Sequence, residues 1–396
     1  MKIGIFSDNF YPELSGISDS IISLSKELVK LDHEINFYAP RYSKENYEIA
    51  HRPYEELKLS EHINIIRLPS IPFPAPTKQG RVAFFNSEII SKIKNWDPDI
   101  IHSQLFFGAG LLALKASRVL KKPFVGTNHT AITSFSPLNI NWIINLLLKY
   151  AVWYYNKCDF VTAPSQSVFD EMQKLVFKPP HSVISNPIET ASFSPLTSED
   201  ERRELKKQFG FNGPTLVFAG RLAPEKNIDI IIKAVAEINK SLPAVELALA
   251  GHGSQENSLR ALVKEVGVEK NVKFLGLLEK SKLADLYRAS EIFVITSTSE
   301  TQNMTMMQAM ATTLPVIGVN ARALPEYLNQ GNGFIIQPGD FKALAEKAIL
   351  LFNNAQLRQE MGQKGLDFVQ TFTPPKIALA WQEIYKNAIQ GYNRSK

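Results

Sequence analysis

Three short stretches of this chain hold residues whose types and spacing suit chemistry. In Ser297 to Gly318, STSETQNMTMMQAMATTLPVIG, the one charged side chain is Glu300, in a polar loop that runs into a helical segment, MTMMQAMA. In Gly220 to Asp229, GRLAPEKNID, two cations, Arg221 and Lys226, stand five residues apart around a turn. In GTNHT, His129 follows a short apolar run. Unpaired amides at a helix start, here near Asn303 and Met304, favour anions, and paired cations beside a second helix start reinforce that preference. A phosphate suits those groups, whereas Glu300 suits something neutral and hydroxylated. A sugar joined to a phosphate meets both demands. Gln308, two helical turns past Glu300, would share its helix face and reach a second polyol such as a ribose.

Those residues need strands and helices to hold them. EIFVIT, Glu291 to Thr296, is a short β-branched run of the kind that forms a buried parallel strand, so the first stretch reads as strand, loop, helix. The same alternation runs through the chain. Lys2 to Ser7 is a strand, and Ser15 to Leu31 carries apolar residues at helical spacing, including Ile17, Ile21, Leu24 and Leu28. Between them DNFYPELSG ends in Gly16, which reads either as an ordinary turn or as a place where backbone approaches a phosphate. EINFYAP, INIIRLP, PDIIHSQ and PFVGTNHT follow as strands, and repeated βα alternation predicts a parallel doubly wound sheet. Ligands bind such sheets at the carboxyl ends of strands, which is where His129 falls; His102, at the end of the preceding strand, is a weaker candidate. The non-periodic segment SVISNPIETASFSP marks a boundary, after which TLVFAGR, AVELALAGHGS and NVKFLGLL restart the pattern. The expected domains are 1–193 and 194–374, with a last helix over 375–396.

Composition bounds the rest. At 396 residues the chain is long for one core, and 44% hydrophobic content is ordinary for a globular protein. Lys and Arg (44) outnumber Asp and Glu (39), and the pI near 9.0 suits anionic nucleotides or an anionic membrane surface. No basic run interleaves with aromatics, which disfavours nucleic acid. Cys158 is the single cysteine, excluding an internal disulfide or a cysteine zinc site. The chain opens on a strand with no signal-like segment, so a cytoplasmic protein is expected. The G-x-G-x-x-G fingerprint is missing after the first strand, which argues against a nicotinamide enzyme.

Glu300, seven residues, an amide, then AMA and a PVIG strand resembles the donor-sugar motif of family-4 retaining glycosyltransferases with the GT-B fold, and G-R-L-x-P-E-K-N resembles that family's diphosphate motif. The resemblance covers nearly the whole chain. It implies two Rossmann-like doubly wound domains facing across a cleft, and transfer of a hexose from a UDP-glucose or GDP-mannose type donor with retained configuration. It places Gly16 against the diphosphate, His129 beside the reacting carbon, Leu277 near the base, and Thr301, Gln302, Asn303, Met304 and Gln308 around the donor. Arg221 and Lys226 would neutralise the leaving group without a metal or other cofactor. The Asp97 and Asp99 pair precedes its strand, away from the ligand edge. Three positions depart from the family: Gln308 for Glu, and Asn303 and Thr313 for Gly. Asn tolerates positive φ, so Asn303 is expected to keep a left-handed turn.

Two segments bear on the acceptor. Ser70 to Phe85 is Pro-rich and combines Phe73, Phe84 and Phe85 with Lys78 and Arg81, a mixture suited to a headgroup region. Asn139 to Lys157 reads as a helix with a narrow polar stripe, Asn141, Asn145 and Lys149, and is either buried on most sides or docked on lipid. Members of the family that glycosylate diacylglycerol or phosphatidylinositol look similar here. The expected acceptor is therefore a membrane lipid, at the inner face of the cytoplasmic membrane. Alternatives are a soluble sugar or polysaccharide acceptor, or a nucleotide-sugar-binding protein with weak turnover.

Overall fold

The computed structural model describes residues 1–74, 78–85, 87–130 and 141–394. They form two compact units, Met1–Pro187 with Pro374–Lys396, and Ile188–Thr373. The division falls ahead of residue 193 because Ile188 already belongs to the second core. Its N–H donates to the Phe372 carbonyl, and the buried Phe193 ring lies 5.9 Å from that of Tyr287.

The first unit is built on β1 (Lys2–Phe6), β2 (Glu34–Pro40), β3 (Ile63–Leu68), a hairpin of β4 (Ser70–Pro72) and β5 (Arg81–Ala83), then β6 (Ile100–Ser103), β7 (Phe124–Thr127), β8 (Phe160–Ala163) and β9 (His181–Val183). Apart from the antiparallel hairpin, these strands form one parallel sheet in the order β3-β2-β1-β6-β7-β8-β9. Helices on its faces cover strands that are apolar on both sides, such as Ile3, Ile5, Ile100 and Val125, all fully buried. The order reverses between β1 and β6, which opens the crevice that doubly wound sheets offer to ligands. His102 proves to be a core residue. Its Nδ1 lies 2.8 Å from the Tyr385 hydroxyl and its Nε2 2.7 Å from Thr127 Oγ1, and its ring packs 4.6 Å from Trp381. Tyr385 and Trp381 belong to the last helix, Pro374–Arg394, which also packs on the helix Gly16–Lys30. At the amino ends of the strands, Asp99 accepts the Lys2 N–H at 2.7 Å and ties the start of β6 to β1, while Asp97 pairs with Lys122, just ahead of β7, at 2.9 Å.

The second unit carries β10 (Thr215–Ala219), β11 (Glu246–Ala250), β12 (Val272–Gly276), β13 (Ile292–Ile295), β14 (Val316–Val319) and β15 (Gly333–Ile336), all parallel, in the order β12-β11-β10-β13-β14-β15. Relative to its own first strand this is the 3-2-1-4-5-6 order of nucleotide-binding sheets, with the switch between β10 and β13. The carboxyl ends of those two strands lead directly into Arg221 and Lys226 on one side and Glu300 on the other.

Candidate functional site

The loop after β10 turns through a short 3-10 helix, Pro224–Lys226, into the helix Ile228–Asn239. The loop after β13 runs from Thr296 to Asn303 and enters the helix Met304–Ala311. Across the switch point Lys226 Nζ meets Glu300 Oε1 at 2.6 Å, and both side chains are nearly out of solvent, 14% and 9% exposed. Burial pushes the Glu300 carboxyl up, but the Lys226 ammonium, helped by the Ser297 and Asn303 side chains, outweighs it and holds the acid below its usual range. The pair is therefore ionised and mutually neutralised. Arg221 instead pairs with Glu225 at 3.0 Å on a more open surface, 42% exposed, where an ion pair contributes little and is readily exchanged. Each of the two cations thus already holds a carboxylate.

Glu300 lies in the loop, outside the helix, so helical spacing does not relate it to Gln308. The outward side of the helix carries Met304, Thr305 and Gln308, all half-buried, while Met306, Met307 and Met310 enter the core. Asn303 does not take the left-handed turn. At φ −97° and ψ 103° it is the helix N-cap, its Oδ1 accepting the Met306 N–H at 2.7 Å. That bond uses the Met306 amide of the helix start. Thr305 Oγ1 donates to the Ala219 carbonyl at 2.8 Å and ties the helix start to the end of β10. Thr301 is half-buried and Gln302 buried in the same loop. Leu277, 45% exposed, follows Gly276, whose φ of +66° makes the turn after β12.

In the first unit Gly16 is the exposed first residue of its helix, capped by Ser15, whose hydroxyl accepts the Ile17 N–H. His129 follows β7, and its Nε2 donates to Gln104 Oε1 at 2.7 Å. Burial lowers its pKa to about 4, so the ring is neutral near pH 7. Gln104, at the end of β6, is not marked by any sequence motif; its place two residues past His102 at a strand end is the signal that points to it.

Comparisons with known proteins fit this geometry. Residues 14–192 match the model described as Glycosyltransferase Family 4, and residues 201–368 the model described as Glycosyl transferases group 1. The chain is 32% identical, over 80% of its length and 70% of the relative, to an alpha-monoglucosyldiacylglycerol synthase of Streptococcus pneumoniae. The chain belongs to the family-4 glycosyltransferases. An enzyme of the same name from Acholeplasma laidlawii is 26% identical over 100% of this chain and 99% of its own. Among solved structures, Anabaena HepE in complex with UDP-glucose superposes with a TM-score of 0.76 at 22% identity, over 98% of this chain and 100% of that one, and establishes the GT-B fold.

Where this glycosyltransferase departs from family residues, the structure gives reasons. Thr313 adopts φ +64°, the left-handed conformation that glycine takes without strain. It closes the helix Met304–Ala311 as the left-handed residue of a Schellman turn: the Leu314 N–H reaches the Ala309 carbonyl at 3.2 Å, and the Thr313 N–H reaches that of Met310 at 2.9 Å. A β-branched residue there costs about 1–2 kcal/mol, which the flanking packing must offset.

The two segments singled out above for the acceptor also join. The helix Asn141–Tyr155 buries Leu148, Ala151, Val152, Tyr154 and Tyr155, and turns Trp142, Leu146, Lys149 and Trp153 outward. Trp153 stacks on Tyr150 at 5.7 Å, Tyr150 lies 6.5 Å from Phe107, and Phe107 lies 6.3 Å from Phe73 beside the hairpin. The outward face thus sets the polar Asn145 and Lys149 beside exposed Trp142, Leu146 and Trp153, with Lys157 just past the helix end. The Arg81 guanidinium is held by the Ser70 hydroxyl and carbonyl, at 2.7 and 2.8 Å. Residues 75–77 and 139–140 of these segments lie outside the described residues.

Proposed function

We propose that this glycosyltransferase moves a hexose from a nucleotide-diphosphate sugar to a hydroxyl of a membrane lipid, with retained anomeric configuration and without a metal. The observation that carries the reading is the Lys226–Glu300 pair, 2.6 Å apart at the switch point beside a helix N-terminus. An arriving diphosphate competes for Lys226 and for Arg221, each of which now holds a carboxylate. Glu300, relieved of its lysine, can accept hydrogen bonds from sugar hydroxyls. As the glycosidic bond breaks, charge builds on the departing diphosphate, and the two cations and the turn amides stabilise it more than they stabilise the bound donor. With those cations in place the leaving group is neutralised without a metal, and its phosphate oxygen takes the acceptor proton. Gln308 serves the ribose, Leu277 the base, and the neutral His129 acts as a hydrogen-bonding group near the reacting carbon rather than as a charge.

The names of the diacylglycerol-glucosylating relatives and the UDP-glucose held by the HepE structure support UDP-glucose as donor, ahead of GDP-mannose, and diacylglycerol as acceptor. The aromatic face with Lys149 and Lys157 supports peripheral docking on an anionic membrane surface, with rings in the headgroup layer and ammonium groups toward lipid phosphates. No helix among the described residues is long and apolar enough to cross a membrane.

One assay tests donor, acceptor and docking together. With vesicles of phosphatidylglycerol and diacylglycerol, the protein should float with the lipid, dissociate at about 1 M salt where screening falls to ~3 Å, and convert diacylglycerol to an α-glucoside from UDP-glucose. Changing Trp142 and Trp153 to Ala should abolish flotation while leaving UDP binding intact. Transfer to soluble sugars alone, with no vesicle binding, would reject the lipid acceptor.

A further inference from the structure

The Lys226–Glu300 pair joins two loops that are far apart in sequence, and a second set of bonds joins them directly behind it. Thr296, the first residue past β13, is 2% exposed, and its Oγ1 lies 2.9 Å from both the Lys226 and the Asn227 carbonyl oxygens, sharing its proton between them. Asn227 returns the contact, its Nδ2 donating to the Thr296 carbonyl at 3.2 Å and toward Thr298 Oγ1 at 3.4 Å. A backbone bond from the Thr298 N–H to the Glu225 carbonyl, 3.3 Å, closes the set. Asn227 makes these bonds from φ +49°, the left-handed conformation that asparagine adopts more readily than other non-glycine residues. It sits directly after Lys226, and its side chain bonds the strand end that leads to Glu300.

We propose that Thr296 and Asn227 are positioning residues for sugar transfer: they lock the backbone of Lys226 to the end of β13, so that cation and carboxylate meet the donor at a fixed separation. The inference rests on the donor-binding reading of Lys226 and Glu300 above. Neither residue touches the donor; each acts through the backbone on which Lys226 rides. Because reacting groups tolerate little displacement, loosening this staple lowers the rate of transfer more than it lowers the affinity for the nucleotide, part of which comes from Arg221 and from the base and ribose contacts.

The test compares Thr296→Val, Thr296→Ser, Asn227→Gly and Lys226→Ala, using transfer from UDP-glucose and binding of UDP, well below the melting temperature of each variant. Val keeps the shape and removes the hydroxyl; Ser restores the hydroxyl. Gly keeps the positive φ and removes the amide. Thr296→Val should lower kcat about 10- to 100-fold, the scale of a 1 Å misplacement, with KM for the donor changed less than kcat. Thr296→Ser should recover most of that loss, and Asn227→Gly should show a smaller loss in the same direction. If Thr296→Val melts earlier yet keeps its kcat while Lys226→Ala is inactive, the staple is structural only and the proposal is overturned. Failure of Ser to rescue the rate overturns it equally. If Lys226→Ala itself keeps full kcat, the donor-binding reading fails first. Should Thr296→Val not fold, Thr296→Ser and Asn227→Gly decide: unchanged kcat in Asn227→Gly overturns the proposal.

Discussion

Replacing Lys226 with Ala is expected to lose transfer activity by about 100- to 1,000-fold, the usual effect of removing one stabilising group from developing oxyanion charge, and to weaken the fold as well. From the motif alone the loss would be purely functional. The structure adds the second effect, because Lys226 is the cationic partner of a carboxylate that is 9% exposed. Leaving a buried charge unpaired costs about 3 kcal/mol or more, which for a unit of this size lowers the melting temperature by roughly 6–12 °C. The two effects separate in a second variant. Adding Glu300→Gln to Lys226→Ala removes the stranded charge, so most of the stability returns while activity stays low. Calorimetry and an initial-rate assay on the single and double variants check both halves. Arg221→Ala, whose partner Glu225 is better solvated, should reduce activity with almost no change in melting temperature.

Acid should unfold the first unit before the second. His33, His102 and His129 all lie in it, and burial lowers each, to about 4, about 3 and about 4, with the N-terminal ammonium adding to the effect at His33. In the unfolded chain they titrate near 6.5, so their contribution is fully present above that pH and drains away as pH falls toward the folded values. Asp8 opposes them. It is buried and accepts N–H bonds from Ala83 and Ala109, and burial pushes its carboxyl up to about 6, so it binds a proton in the folded state between about 6 and 3.8. Near pH 5 unfolding therefore takes up roughly two protons net, a slope of about 2.7 kcal/mol per pH unit, with stability rising as pH rises. Denaturant melts from pH 4.5 to 7, followed by tryptophan fluorescence, check this. All four tryptophans, Trp96, Trp142, Trp153 and Trp381, lie in the first unit. His102→Gln should flatten the slope by about one proton.

The sheets and the three chemical loops are legible in the sequence because each depends on local pattern. Continuous apolar runs such as Glu291 to Thr296 mark buried parallel strands, and a polar loop before MTMMQAMA marks a helix start at a strand's carboxyl end. What pattern does not carry is which side chains meet. Glu300 and Lys226 are 74 residues apart, and their pairing depends on β10 and β13 being neighbours, a consequence of strand order. The same holds for His102, which looks like a strand-end ligand in sequence and is claimed by Tyr385 from the last helix. Asn303 departs from the expected left-handed turn because tolerance of positive φ and preference for the N-cap are both properties of asparagine, and here the second governs. Thr313 is the converse case, a β-branched residue in a left-handed turn that no propensity would place there.

We propose that the groups at the switch point take different parts of one ligand, and binding measured in parallel for UDP and UDP-glucose tests that division most directly. Lys226→Ala should weaken both ligands, because both carry the diphosphate. Glu300→Gln should weaken UDP-glucose by about tenfold, some 1.4 kcal/mol, while leaving UDP bound as tightly as before or more so, since Lys226 loses a competing partner. Equal weakening of both ligands by Glu300→Gln, or none of either, would contradict the assignment of that carboxylate to the sugar.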